Sequence, residues 1–284
     1  MKRILLAIMA VALCTNAFAQ EADNTKTGIV HANKNKIVVE ARRSAMNFNE
    51  INASKALRIT VEERTTGNII VRAPQSMMPY ISLSVKDNTL YATILSGAPV
   101  SRNSNVLADL YVPYNGHINE INTSSAARVI VKPTLSCNEL DLEASSASVI
   151  EVSASAKEVS IDASGASQIK ALLATDDLDA EFSGASDITL SGQVKNADIE
   201  VSGASTLRAD KLRTANLELE CLGASKAYAL GIDCTVEASG ASAVVVESLS
   251  QLNASASGAS QIVYSGECQV NIVRNSGASS IRKK

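Results

Sequence analysis

The sequence contains no Trp, only three Phe and only six Tyr among 284 residues. A thick interior of packed rings is therefore excluded, and the core must be built from Leu, Ile, Val and Ala. Only two His are present, His31 and His117, which leaves little for imidazole acid–base or metal chemistry. Twenty-six Lys and Arg against 29 Asp and Glu give a formal charge of −3. That balance carries no electrostatic footprint for nucleic acid. Beyond the amino end, no segment approaches the ~18 apolar residues needed to span a bilayer.

The amino end reads as a secretory signal over residues 1–19. It has Lys2-Arg3, an apolar run from Ile4 to Leu13, and the small-residue site Ala17-Phe18-Ala19 before Gln20. Export to the periplasm, the outer-membrane surface or the medium is expected. Cys14 follows Leu13, where lipid attachment favours a small residue, so lipidation is not expected.

What the chain has in abundance is a repeat. Ser-Gly-Ala-Ser or a close variant starts at residues 124, 145, 164, 183, 202, 222, 239, 257 and 276, at intervals of 17 to 21 residues. Such a period is too short for a domain and suits one coil of a β-solenoid, where each coil covers its apolar face only by stacking on neighbours. The spacing predicts an all-β fold with coils of about 19 residues. Residues 114–284 form the solenoid, continuous with a strand-rich entry and cap over residues 20–113, whose longer strands close one end.

Within each coil the third and first positions before the motif alternate with polar neighbours, as in Leu142, Ala144 and Ile161, Ala163, the signature of a half-buried strand. Five residues after each motif start comes a second apolar column: Ile150, Ile169, Ile188, Leu207, Ala227, Val244, Ile262 and Ile281. The motif is then a corner between two strands. Gly165, Gly184, Gly203, Gly223, Gly240, Gly258 and Gly277 supply its positive φ or close backbone approach. Ser125 and Ser146 stand at the equivalent place in the two earliest copies, where a less strained corner is expected. The stretch after the second strand, such as Leu190 to Asn196, is polar and variable in length, so insertions should map there.

Cys137, Cys221, Cys234 and Cys268 remain after signal removal. The phase places Cys137 and Cys268 in one column but seven coils apart, about 33 Å at ~4.8 Å per coil, far beyond disulfide reach. Cys221 and Cys234 fall about 13 Å apart along neighbouring strands at ~3.3 Å per residue. Four free thiols are expected.

Outward positions two and four residues before the motif carry Asp141, Glu143, Asp162, Asp179, Glu181, Asp198, Glu200, Glu218, Glu220 and Glu237. Two carboxylate columns at ~4.8 Å spacing repel internally. They read as a solvated face that resists aggregation, or as a stripe (Glu181, Asp198, Glu200, Glu218, Glu220) drawing a divalent cation or a basic partner. The motif serines read as stacked hydroxyls, since no His lies in the repeats to activate a nucleophile. No catalytic residue, cofactor motif or dedicated metal site is found.

Together with Phe48-Asn49-Glu50-Ile51 and Ile59-Thr60-Val61-Glu62, the blocks Asp162-Ala163-Ser164-Gly165-Ala166-Ser167 and Glu237-Ala238-Ser239-Gly240-Ala241-Ser242 resemble the auto-transporter adhesin family known as the head GIN domain. That family is common in the envelope of Bacteroides-like bacteria. The resemblance runs from about residue 45 to the end. It implies a right-handed parallel β-helix and an envelope location, and it transfers no catalytic residue. The reading is a non-catalytic structural or adhesive protein whose partner is an envelope protein, a host or matrix protein, or a glycan. The competing reading is a polysaccharide lyase or hydrolase of the β-helix type. Such an enzyme needs a carboxylate pair or a basic group in a cleft, with aromatic faces for ring contact, and the repeats offer only Phe182, Tyr228 and Tyr264.

Overall fold

The computed structural model describes residues 36–43, 47–99 and 107–284. Residues 1–19, read above as a secretory signal, and His31 lie outside the described residues. The described residues form one compact unit, built almost wholly of strands. The first seven are β1 (Ile37–Arg43), β2 (Glu50–Ser54), β3 (Leu57–Glu62), β4 (Asn68–Pro74), β5 (Ile81–Lys86), β6 (Thr89–Ile94) and β7 (Ala108–Pro113), with a 3-10 turn at Met78–Tyr80 before β5. There follow β8 (Glu120–Ser124), β9 (Arg128–Ser136), β10 (Glu139–Ala144), β11 (Val149–Ser155) and β12 (Glu158–Ala163). Next come five long strands, β13 (Gln168–Phe182), β14 (Asp187–Val201), β15 (Thr206–Cys221), β16 (Lys226–Ala238) and β17 (Ala243–Ala256). The chain closes with β18 (Gln261–Ser265), β19 (Gln269–Asn275) and β20 (Ser280–Lys283).

Two parallel faces meet at the motif. The strand leading into each corner belongs to a front face and the strand leaving it to a back face. On the back face Ile150 pairs with Ile169, Ile169 with Ile188, Ile188 with Leu207, and the column continues without a slip to Ile281. Period in sequence has become vertical neighbourhood in space. Each coil alone could bury little, but stacked columns leave Ile169, Ile188 and Leu207 at most 1% exposed. Full burial of such a side chain contributes about 1.5–3 kcal/mol.

Parallel pairing extends upstream of residue 114. Ile51 pairs with Ile121, and Ile59 with Val129, so β2 and β3 form a coil whose corner, Ser54 to Leu57, has no Ser-Gly-Ala-Ser spelling. Spatial order there departs from chain order. β6 lies on the far side of β2 from β8, and β7 on the far side of β3 from β9. Antiparallel strands finish this end, with β5 on β6, β4 on β7, and β1 on β4. Arg42 on β1 donates Nη1 to the Ile81 carbonyl at 2.6 Å and Nη2 to the Met78 carbonyl at 3.0 Å. It thereby straps the outermost back strand to the outermost front strand.

The polar stretch after the second strand is not a loop in the central coils. Leu190 to Asn196 lies within β14, which runs unbroken from the back face to the front. Differences in coil length are absorbed as register shifts at Thr189/Ser191, Ala209/Thr214 and Gly231/Asp233. A bulge keeps most backbone groups paired where a loop would release them.

The corners also differ from expectation. Ser125 and Ser146 keep φ at 52° and 53°, and Ala126 and Ala147 follow at 65° and 64°. Two successive side-chain-bearing residues thus occupy the left-handed region in these copies, which makes them the more strained corners. From Gly165 onward only the glycine has positive φ.

Candidate binding surfaces

The front face carries three carboxylate columns. The first runs Glu139, Glu158, Asp177, Asn196, Asn216, Asp233; the second Asp141, Ser160, Asp179, Asp198, Glu218, Thr235; the third Glu143, Asp162, Glu181, Glu200, Glu220, Glu237. The strand segments that hold them contain no Lys or Arg. The first column was not picked out in the sequence, although the same alternation, carried two residues further from the motif, leads to it. Amides interrupt that column: Asn196 donates to Asp177 and Asn216 donates to Asn196, each at 2.8 Å.

Crowding of like charge shows in the titration of the face. Burial pushes the Asp162 carboxyl up from its ordinary value, and Asp179 and Asp141 add to the effect. Glu220 is pushed up by burial and then by Glu200, Glu237, Asp198 and Glu218. A shallow groove of about 490 Å³ crosses the face between Asp177 and Asp233. Glu181, Asp198, Glu200, Glu218 and Glu220 all stand on this surface. Among the described residues, however, no three His, Cys, Asp or Glu converge closely enough to hold one metal ion. A pleated sheet spreads its side chains where a cation requires them to converge.

Inside the corner, the last serine of the seven middle motifs points inward. Ser148, Ser167, Ser186, Ser205, Ser225, Ser242 and Ser260 are at most 1% exposed. Their hydroxyl ladder is broken. Ser186 donates to Ser205 at 3.1 Å and Thr123 to Ser148 at 2.9 Å, whereas the Ser167 and Ser242 hydroxyls have no partner. The stacked glycines are equally tight. A Cβ added at Gly184 would lie 2.6 Å from the Gly165 carbonyl oxygen.

All four described cysteines are free. Burial pushes the Cys221 thiol up to about 12 and the Cys234 thiol up to about 11, so both act as small apolar fillers. His117 is exposed on the segment between β7 and β8. Phe182 is 1% exposed in the core, while Tyr228 and Tyr264 belong to the back face.

A second groove, of about 780 Å³, lies where the back strands bend toward the front face. It is floored by Val194, Thr214 and Gly231 and bordered by Lys195, Arg213, Leu230, Ile232 and Leu249. Ile232 and Leu249 are 46% and 52% exposed.

Residues 47–232 match the model of a family described as putative auto-transporter adhesin, head GIN domain. The chain belongs to that family. This head GIN chain is similar to a solved putative adhesin from Parabacteroides merdae ATCC 43184, with a TM-score of 0.67 and 17% identity, over 88% of this chain and 96% of that one. A putative adhesin from Parabacteroides distasonis ATCC 8503 gives 0.67 and 19%, over 88% and 97%. A putative lipid binding protein from the same strain gives 0.65 and 15%, over 87% and 96%. At these identities the shared property is the fold. No curated protein matches the chain. Among the described residues no helix is long and apolar enough to cross a membrane.

Proposed function

We propose that this chain is a non-catalytic, exported envelope protein that binds through the front face of its solenoid, and that the partner presents cationic groups. The single observation behind this reading is the three-column carboxylate array without an intervening Lys or Arg. Burial raises the Asp162 and Glu220 pKa values, and repulsion from neighbouring carboxylates adds to it. A basic surface laid across the columns relieves that repulsion and docks with electrostatic steering. The family description supports an adhesive role. An envelope, host or matrix protein with a basic face fits better than an acidic glycan. The glycan-cleaving alternative is disfavoured because the repeat aromatics sit in the core or on the face opposite the carboxylates. The test is retention of the full chain on immobilised polylysine against a Glu181→Gln, Glu200→Gln, Glu220→Gln variant. Retention should fall with salt and fall further in the variant, and equal retention of the two proteins overturns the reading. Protease shaving of intact cells, compared with a periplasmic extract, locates the protein.

A second reading, lipid binding, is favoured by the groove beside Ile232 and Leu249, which exposes apolar side chains in a concave site. The solved putative lipid binding protein of the same fold is consistent with it.

A further inference from the structure

We infer that the back-face groove takes a single-chain amphiphile with an anionic head, the head between Lys195 and Arg213 and the chain running over Ile232 and Leu249. This rests on the lipid-binding reading and deepens it. The groove has a structural origin. Between Ala209↔Ala229 and Thr214↔Gly231, β15 uses four residues where β16 uses one. Of the extra residues, Leu212 turns into the core and Arg213 is exposed, where it lines the groove with Leu230 and Ile232.

The outward side chains change character from strand to strand. Gln193 and Lys195 stand on β14, Arg213 and Ala215 on β15, Leu230 and Ile232 on β16, and Glu247 and Leu249 on β17. Cations thus flank one end of the groove and aliphatic side chains the other. Among the described residues neither Lys195 nor Arg213 forms an ion pair, so both charges are available to a ligand. Asp176 lies on the far side of Lys195, on β13, and Glu247 lies beside Leu230, off the path from Ala215 through Ile232 to Leu249. That path crosses two inter-coil steps, about 10 Å at ~4.8 Å each. Thr214 Oγ1 donates to the Leu230 carbonyl at 2.9 Å and ties the floor of the groove to β16.

The test is calorimetric titration of the full chain with sodium decanoate and decyl maltoside, each below its micellar concentration, and with acetate. Decanoate should bind, decyl maltoside should bind about tenfold more weakly for want of a charge-assisted contact, and acetate should give no heat. Lys195→Ala with Arg213→Ala should bring decanoate down to the level of decyl maltoside and leave decyl maltoside unchanged. Ile232→Ser with Leu249→Ser should weaken both. Equal binding of the two ten-carbon ligands by the native chain overturns the anionic-head assignment and leaves lipid binding standing. Binding of neither overturns both. The native comparison needs no variant, and the Tm of each variant shows that it has folded.

Discussion

At the level of single residues, stacking turns a conformational preference into a steric requirement. Gly184 has φ +75°, and an added Cβ would meet the Gly165 backbone at 2.6 Å. Gly116 has φ +83° with nothing within 4 Å of the same atom. Gly116→Ala should therefore cost only the backbone strain, about 1–3 kcal/mol, whereas Gly184→Ala adds a clash that must displace a neighbouring coil. Urea unfolding of the two variants compares them, and equal losses would mean the corner can relax. The inward serines give an opposite pair. Ser167→Ala removes an unpaired buried hydroxyl and should be neutral or stabilising, while Ser186→Ala deprives Ser205 of its partner and should cost about 1–3 kcal/mol. Thermal melts would separate them. The glycine column was legible in the sequence because the motif repeats. The inward serine was not, because two serines flank most corners and spelling alone does not say which one turns inside.

At the level of strands, the front face couples stability to pH. Glu220 and Asp162 have folded pKa values raised above the ordinary 4.5 and 3.8. The folded state therefore holds protons that the unfolded chain has released, and the contribution of each group is fully present below its ordinary value and lost as pH rises through the raised one. Glu62 opposes this, since its hydrogen bond to Lys132 holds its carboxyl below 4.5; the stability it adds is lost as pH falls through that lowered value. Between neutrality and the onset of Glu62 protonation, acidification should raise the Tm, and Glu220→Gln should flatten the rise. An unchanged slope would show that Glu220 is not raised in the folded state. Both strands of each repeat could be read from period-two patterning. The first carboxylate column was missed because Asn196 and Asn216 break its run of acids. The β2–β3 coil was missed because Lys55 and Ala56 take the corner with φ of 62° and 54° and without glycine.

For the whole unit, a flat array of carboxylates without a convergent cage should respond to cations through screening alone. Calcium chloride and sodium chloride at equal ionic strength are expected to raise the Tm by the same amount. A larger rise with calcium would reveal a site that the flat sheet conceals. The alternation of apolar columns made the stack visible in the sequence, since a fixed period can mean only that equal phases meet. The bulges were not visible, because a three-residue excess in one coil reads the same whether it leaves the sheet as a loop or stays in it.

The strand order at the capped end constrains how the molecule comes into being. The row formed by residues 50–62 is sandwiched between strands 89–94 and 108–113 on one side and 120–131 on the other, so a chain emerging amino end first cannot lay down its rows in the order of their delivery. The earliest row gains one neighbour only when residue 113 has emerged and the other only when residue 131 has. Growth then proceeds in the orderly direction, row upon row, from an origin that is itself assembled out of turn.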